Sequence, residues 1–192
     1  MGSLRVIEFV TLDGVMQGFH GPDDDGGFQH QGWGVEYADD IQFRSALESI
    51  PSTGAYLFGR RTYEELALFW PFQPDDNPMA AHLNATPKFV VTHRHAGLTW
   101  RNSHPLEGTL AEAVSQLKDL TTGTIAVLGS GNLVAQLLAA DLVDGLRLFV
   151  HPLVMGSGRQ LFPRAERPLR LRLHDVGRTS TGVLMLSYDI ER

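Results

Sequence analysis

Three short stretches carry residue types and spacings that could do chemistry, and all three suit an anion. Gly129-Ser130-Gly131-Asn132-Leu133 follows an apolar run, Thr124 to Leu128, and leads into Leu133, Val134, Leu137 and Leu138 at helical spacing. A glycine turn between strand and helix lets backbone N–H groups approach a phosphate at the helix N-terminus. As a dinucleotide fingerprint the turn is incomplete. Val134 stands where the third glycine belongs, and no acidic residue sits ~20 positions on. Gly59-Arg60-Arg61-Thr62-Tyr63-Glu64 is the second stretch. Two arginines beside the free N–H groups of a helix start suit a phosphate dianion, and a solvated basic turn is the plain alternative. Thr92-His93-Arg94-His95 closes another strand with further anion-binding side chains. Three strand ends of this kind fit a dinucleotide laid across one sheet edge. An extra phosphate would account for the arginines, which favours NADPH over NADH as cofactor.

Composition removes other chemistries. The 192 residues contain no cysteine, so thiolate zinc, iron–sulfur clusters, disulfides and a cysteine nucleophile are excluded. The formal charge of -6 argues against a nucleic-acid binder, which needs clustered Lys and Arg. No apolar run approaches the ~20 residues of a membrane span. The N-terminus leads straight into apolar residues without a signal-peptide pattern, so a cytoplasmic protein is expected. Asp23-Asp24-Asp25 lacks the spacing of a calcium loop, and His93-x-His95 has no third ligand in reach; no metal is expected. Trp33 reads either as core or lid packing or as a pocket wall.

The elements that must position these stretches alternate. Leu4 to Val10 reads as a buried strand, followed by a glycine-rich stretch to about Gly34. Phe43, Ala46, Leu47 and Ile50 give a helix face before Pro51. Ala55 to Phe58 and Lys88 to Thr92 read as strands. Tyr63, Leu66, Ala67 and Trp70 give a helix with Thr62 and Glu65 as its capping box, and Asn77-Pro78 opens a short helix through Leu83. Thr109 and Glu112 cap a helix carrying Leu110, Ala113, Val114 and Leu117. Leu146 to Val150 is a further strand. Leu169 to Leu173 and Val183 to Ile190 alternate with period two, which predicts an antiparallel pair. The expected architecture is a single α/β domain over residues 1–192, with a mainly parallel mixed sheet, helices on both faces and a C-terminal antiparallel hairpin.

In this order the motifs resemble a known family. Gly59 to Glu64 resembles the Gly-Arg-x-Thr-aromatic-Glu signature of dihydrofolate reductases, Lys88 to Thr92 the strand after it, and Gly129 to Leu133 the later glycine pair. Thr11-Leu12-Asp13-Gly14 and His151 to Phe162 are more similar to the reductase domain of riboflavin biosynthesis. The likeness runs with gaps from about Leu4 to Tyr188. It implies a dihydrofolate-reductase-like fold and NADPH held by Arg60, Arg61 and Thr62, by His93 and Arg94 near the 2′-phosphate, and by Gly129, Ser130, Gly131, Asn132 and Leu133 at the pyrophosphate. It implies that the Asp13 loop lies near the nicotinamide. The acid on the first helix matches Asp39 or Asp40. The riboflavin enzyme is commonly fused to a zinc deaminase whose ligands include cysteines; for this cysteine-free chain a stand-alone reductase domain is expected.

The expected activity is therefore hydride transfer from NADPH to a small heterocyclic or ribosylaminopyrimidine- or pterin-like substrate, with Asp39 and Asp13 as candidate catalytic residues and Asp40 or water as the alternative proton source. A non-catalytic nucleotide-binding or sensor domain is the alternative. An NADH or flavin enzyme would leave Arg60, Arg61 and Arg94 without a phosphate. A homodimer is expected too, because a terminal hairpin beside an open sheet leaves an edge to cover, and the riboflavin-type reductases pair through this part of the sheet.

Overall fold

The computed structural model describes residues 1–20, 27–74, 76–94, 96–162 and 168–192; Asp23 to Asp25 and His95 lie outside the described residues. Among the described residues, eight strands form one sheet in the order β4-β3-β2-β5-β1-β6-β8-β7. They are β1 (Ser3–Thr11), β2 (Thr53–Gly59), β3 (Lys88–Val91), β4 (Ser103–Pro105), β5 (Thr124–Leu128), β6 (Gly145–His151), β7 (Leu171–Arg178) and β8 (Leu184–Ile190). The first six pair in parallel, and β8 and β7 join antiparallel beyond β6. Parallel strands need long crossovers, and helices supply them.

Alternation along the strands shows why both faces are covered. Ala55, Leu57, Ile125 and Val127 belong to one apolar cluster, with Val114 and Leu117 of α4 (Leu110–Leu120) and Leu133, Val134 and Leu137 of α5 (Gly131–Ala139). Tyr56, Phe58 and Ala126 point the other way, to Tyr63 of α2 (Arg60–Ala67) and Leu83 of α3 (Pro78–Ala85). Each fully buried Leu, Val or Phe contributes about 1.5–3 kcal/mol. Lys88 is buried in the second layer. Its Nζ donates to the carbonyls of Leu83 at 2.6 Å and Thr86 at 2.8 Å, closing the C-terminal end of α3, and lies 4.7 Å from the centre of the Trp100 ring. Burial pushes its pKa down to about 8.

Several local expectations change. Helix α2 starts at Arg60 with Gly59 at its cap and no side-chain cap, so Thr62 and Glu65 are not a capping box. Thr62 is already the third helical residue, its N–H past the cap position. Trp70 belongs to a separate 3₁₀ turn, Trp70–Phe72. In α1 (Asp40–Ser49) the buried residue is Ser45, while Phe43 is 47% exposed. The helix is turned so that Ser45 receives Arg147 of β6, whose guanidinium donates to the Ser45 carbonyl and hydroxyl. β7 runs to Arg178 rather than ending near His174, because a register shift between Leu173 and Asp175 resets its alternation. The short edge strand β4 carries no alternating pattern. By contrast Thr109 does cap α4, accepting from the Glu112 N–H and donating to its carboxylate at 2.6 Å.

Candidate functional site

Strands β1, β2, β3, β5 and β6 are parallel, so their C-terminal ends share one sheet edge. Gly59, Thr92, Gly129 and the Asp13 loop are brought together there. Gly129 and Ser130 both take left-handed conformations, φ +61° and +70°. For serine that backbone costs of order 1 kcal/mol. It is held in place because Ser130 Oγ accepts the Gly59 N–H at 2.9 Å, joining the ends of β2 and β5. No side chain caps α5. The N–H groups of Gly131, Asn132 and Leu133 therefore open the helix to the sheet edge, where the helix dipole favours an anion. A Cβ on Gly129 would lie 3.2 Å from Thr62 Cγ2, and one on Gly131 would lie 2.6 Å from Met16 Sδ. The turn is thus walled by α2 on one side and by the segment after β1 on the other.

The basic groups have defined partners. Arg60 donates from Nη1 to the carbonyls of Arg94 and Ala96, both at 2.9 Å, and from Nε to Glu64 at 2.6 Å. It is a strut that ties the Arg94 and Ala96 carbonyls to the start of α2. Arg61 Nε meets Glu65 at 3.2 Å. Thr92 Oγ1 accepts the Arg94 N–H at 3.0 Å, and His93 and Arg94 are exposed beside it. The geometry joins the three anion-suited stretches along one edge.

The two acids are placed differently. Asp13 accepts from Thr11 Oγ1 at 2.5 Å and from the backbone N–H groups of Met155 at 3.1 Å and Gly156 at 2.7 Å. These donors, the Thr11 hydroxyl first, hold its pKa down to about 2, so it stays ionised and ties the loop after β1 to the loop after β6. Asp39 is the N-cap of α1: Oδ1 accepts the Ile41 N–H at 2.6 Å, and Oδ2 accepts the Ser180 N–H at 2.9 Å and the Ser180 hydroxyl. The Ser180 hydroxyl, then the Ile41 N–H, keep its pKa below the usual range. Asp39 is brought to the β7–β8 turn, where a shallow depression runs over Asp40, Phe43, Arg44 and Ser180, and not to the glycine turn.

Residues 3–185 match the family described as the RibD C-terminal domain. The chain belongs to this family. A curated relative, an uncharacterised Bacillus subtilis (strain 168) protein called YyaP, is 26% identical over 181 residues, 93% of this chain and 90% of its own. Among solved structures, the pyrimidine reductase-like protein of Corynebacterium diphtheriae superposes with a TM-score of 0.63 at 13% identity, covering 100% of this chain and 92% of that one. A Thermotoga maritima protein named as a diaminohydroxyphosphoribosylaminopyrimidine deaminase/5-amino-6-(5-phosphoribosylamino)uracil reductase superposes at TM-score 0.67 and 13% identity. It covers 99% of this chain and 57% of its own. RibD of Acinetobacter baumannii, in its form 2, gives 0.67 at 15% identity, with 100% and 58% covered. These likenesses establish the RibD-type, dihydrofolate-reductase-like fold.

Two titratable residues of this RibD-family chain escaped the sequence reading. Glu8 lies in β1 facing the α5 side, 3% exposed, with Oε1 unpartnered among the described residues. His151 ends β6 on the opposite face, fully buried, with Nε2 likewise unpartnered. A charged residue inside the apolar run Leu4 to Val10 was the available signal for Glu8. His151 opens the His151 to Phe162 stretch that carried the family likeness, but no role was drawn from it there.

Proposed function

We propose that this protein is an NADPH-dependent reductase acting on a small heterocyclic substrate of the aminopyrimidine or pterin kind. The observation that supports the reading most is the uncapped start of α5 behind the left-handed Gly129-Ser130 pair, at the same sheet edge as Arg61, Thr62 and Thr92, in a chain of the RibD C-terminal domain family. The pyrophosphate is assigned to the N–H groups of Gly131 to Leu133. The 2′-phosphate is assigned to Arg61, His93 and Arg94, with Arg60 positioning their loop. When bound, NADPH supplies the hydride. The protein's own residues hold cofactor and substrate close and shield them from water. Asp13 acts by fixing the two loops that border the site. Since Asp13 and Asp39 are both ionised at neutral pH, the proton is assigned to water.

Calorimetric titration tests the cofactor. A phosphate held by charge-assisted hydrogen bonds is worth about 1.5–3 kcal/mol, so NADPH should bind roughly tenfold to a hundredfold tighter than NADH. Equal dissociation constants would remove the 2′-phosphate site.

The same reading includes a homodimer. On one face of the β7–β8 hairpin, Leu173, Val176 and Leu184 are 51%, 58% and 43% exposed. Their register partners Tyr188, Leu186 and Arg178 lie on that face. A contiguous apolar strip of this kind marks an interaction surface. Two-fold pairing of the strips covers it. Light scattering at micromolar concentration should give twice the 21.2 kDa of one chain. Leu173→Arg should return the mass to one chain. A wild-type protein that is monomeric at that concentration overturns the pairing.

A further inference from the structure

His151 is fully buried on the α1 face of the sheet. Its Nδ1 lies 3.2 Å from the Val10 carbonyl and 3.0 Å from the Phe149 carbonyl. Carbonyl oxygens only accept, so Nδ1 carries the proton. Burial keeps the ring neutral, which leaves Nε2 as a bare acceptor. Among the described residues no group donates to that acceptor. Phe9, Phe19, Trp33 and Tyr37 surround the imidazole at centroid distances of 6.3, 5.3, 5.0 and 5.4 Å. The phenylalanines have no donor. The Trp33 Nε1–H is already given to the Gln17 carbonyl at 2.7 Å, and the Tyr37 hydroxyl faces Glu36. A buried acceptor without a donor forgoes the hydrogen bond that water would give it.

The rings beside it form a stack. Phe149 and Phe9 lie 4.7 Å apart at 19°, and Phe9 and Phe19 lie 4.3 Å apart at 15°. Phe149 and Phe9 are fixed on β6 and β1. Phe19 comes from the segment after β1 and is half-buried. It ends the stack on the side away from Phe149, with His20 at 4.4 Å and Trp33 at 5.1 Å, and it meets His151 edge-on. His151 is in register with Thr11, so the stack stands at the same C-terminal sheet edge as the proposed nucleotide site.

We propose that Phe19 holds the place of a planar heterocycle that carries an N–H donor. The ligand displaces Phe19, stacks on Phe9 and donates to His151 Nε2. This rests on the reductase reading above, where that ring is the substrate's. It names the selecting group, a bare imidazole acceptor that rewards an amino or ring N–H and rejects a ring without one. A donor-demanding site discriminates more strongly than an apolar pocket does.

The test uses the full chain labelled with ¹⁵N-histidine, titrated with 2,4-diaminopyrimidine and with pyrimidine as the ring lacking a donor. A saturable upfield shift of the His151 Nε2 resonance is expected with the diamine and not with pyrimidine. His151→Phe should weaken the diamine about tenfold. Phe19→Ala, which vacates the place without touching the acceptor, should tighten it. An unmoved Nε2 resonance at millimolar diamine, an equal response to pyrimidine, or weaker binding by Phe19→Ala overturns the proposal. A parallel NADPH titration of the wild type separates the two readings. NADPH binding with a silent His151 leaves the reductase and removes this subsite. A responding His151 without NADPH binding keeps the subsite and removes the cofactor.

Discussion

Gly131→Val should lower NADPH affinity at least tenfold while the chain stays folded. Gly131 is the first residue of α5, and its φ is not among the positive values of the glycines. A β-branched residue can therefore adopt its backbone, which is untrue of Gly129 at φ +61°. The damage is local. A Cβ at residue 131 would come 2.6 Å from Met16 Sδ, so the thioether must move, and the two valine methyls crowd the opening in front of the helix N–H groups. A pyrophosphate there loses the close backbone approach that glycine allows. Losing even one charge-assisted hydrogen bond costs about 1.5–3 kcal/mol, a factor of ten or more. Calorimetry measures the affinity, and a thermal melt followed by circular dichroism confirms folding. A folded variant that binds NADPH like the wild type would place the pyrophosphate away from α5.

What could be read from residue order divides by physical range. Strands β1, β2, β3, β5 and β6 were legible because a parallel strand covered on both faces is a short apolar run bounded by turns. The Gly129 and Gly59 turns were legible because a strand-to-helix turn at close quarters demands glycine. Three things were not. The rotation of α1 depends on Arg147, about a hundred residues away, reaching Ser45 and overriding the apolar spacing of Phe43. The bulge between Leu173 and Asp175 depends on pairing with β8. The duties of Asp13 and Asp39 depend on partners at Met155, Gly156 and Ser180, which no local pattern names. Arg60 illustrates the same limit: its type and place were noted, but its task as a strut follows only once β3 brings Arg94 and Ala96 alongside.

The second large effect is on stability. Glu8→Gln should be close to neutral at pH 5 and clearly stabilising at pH 8. Glu8 sits in β1 between Val6 and Val10 on the same face, opposite Leu148 of β6, at 3% exposure. Burial raises its carboxyl pKa from 4.5 to about 8, against a small opposing contribution from the Phe9 N–H. The folded-state pKa thus lies above the unfolded value. Between the two, the folded protein binds a proton that the unfolded chain does not, so stability falls as pH rises. The contribution is fully present below pH 4.5 and is lost as pH rises through about 8. Over that window it is of the order of 4 kcal/mol. Glutamine has nearly the same shape and no titration, so it keeps the buried amide cost constant at every pH. All other ionisable groups are shared by both proteins and cancel in the difference. Urea unfolding of the pair at pH 5, 6, 7 and 8 should show the variant gaining on the wild type at each step. A difference that stays flat across that range would mean that Glu8 is ionised throughout and has found a partner in the folded protein.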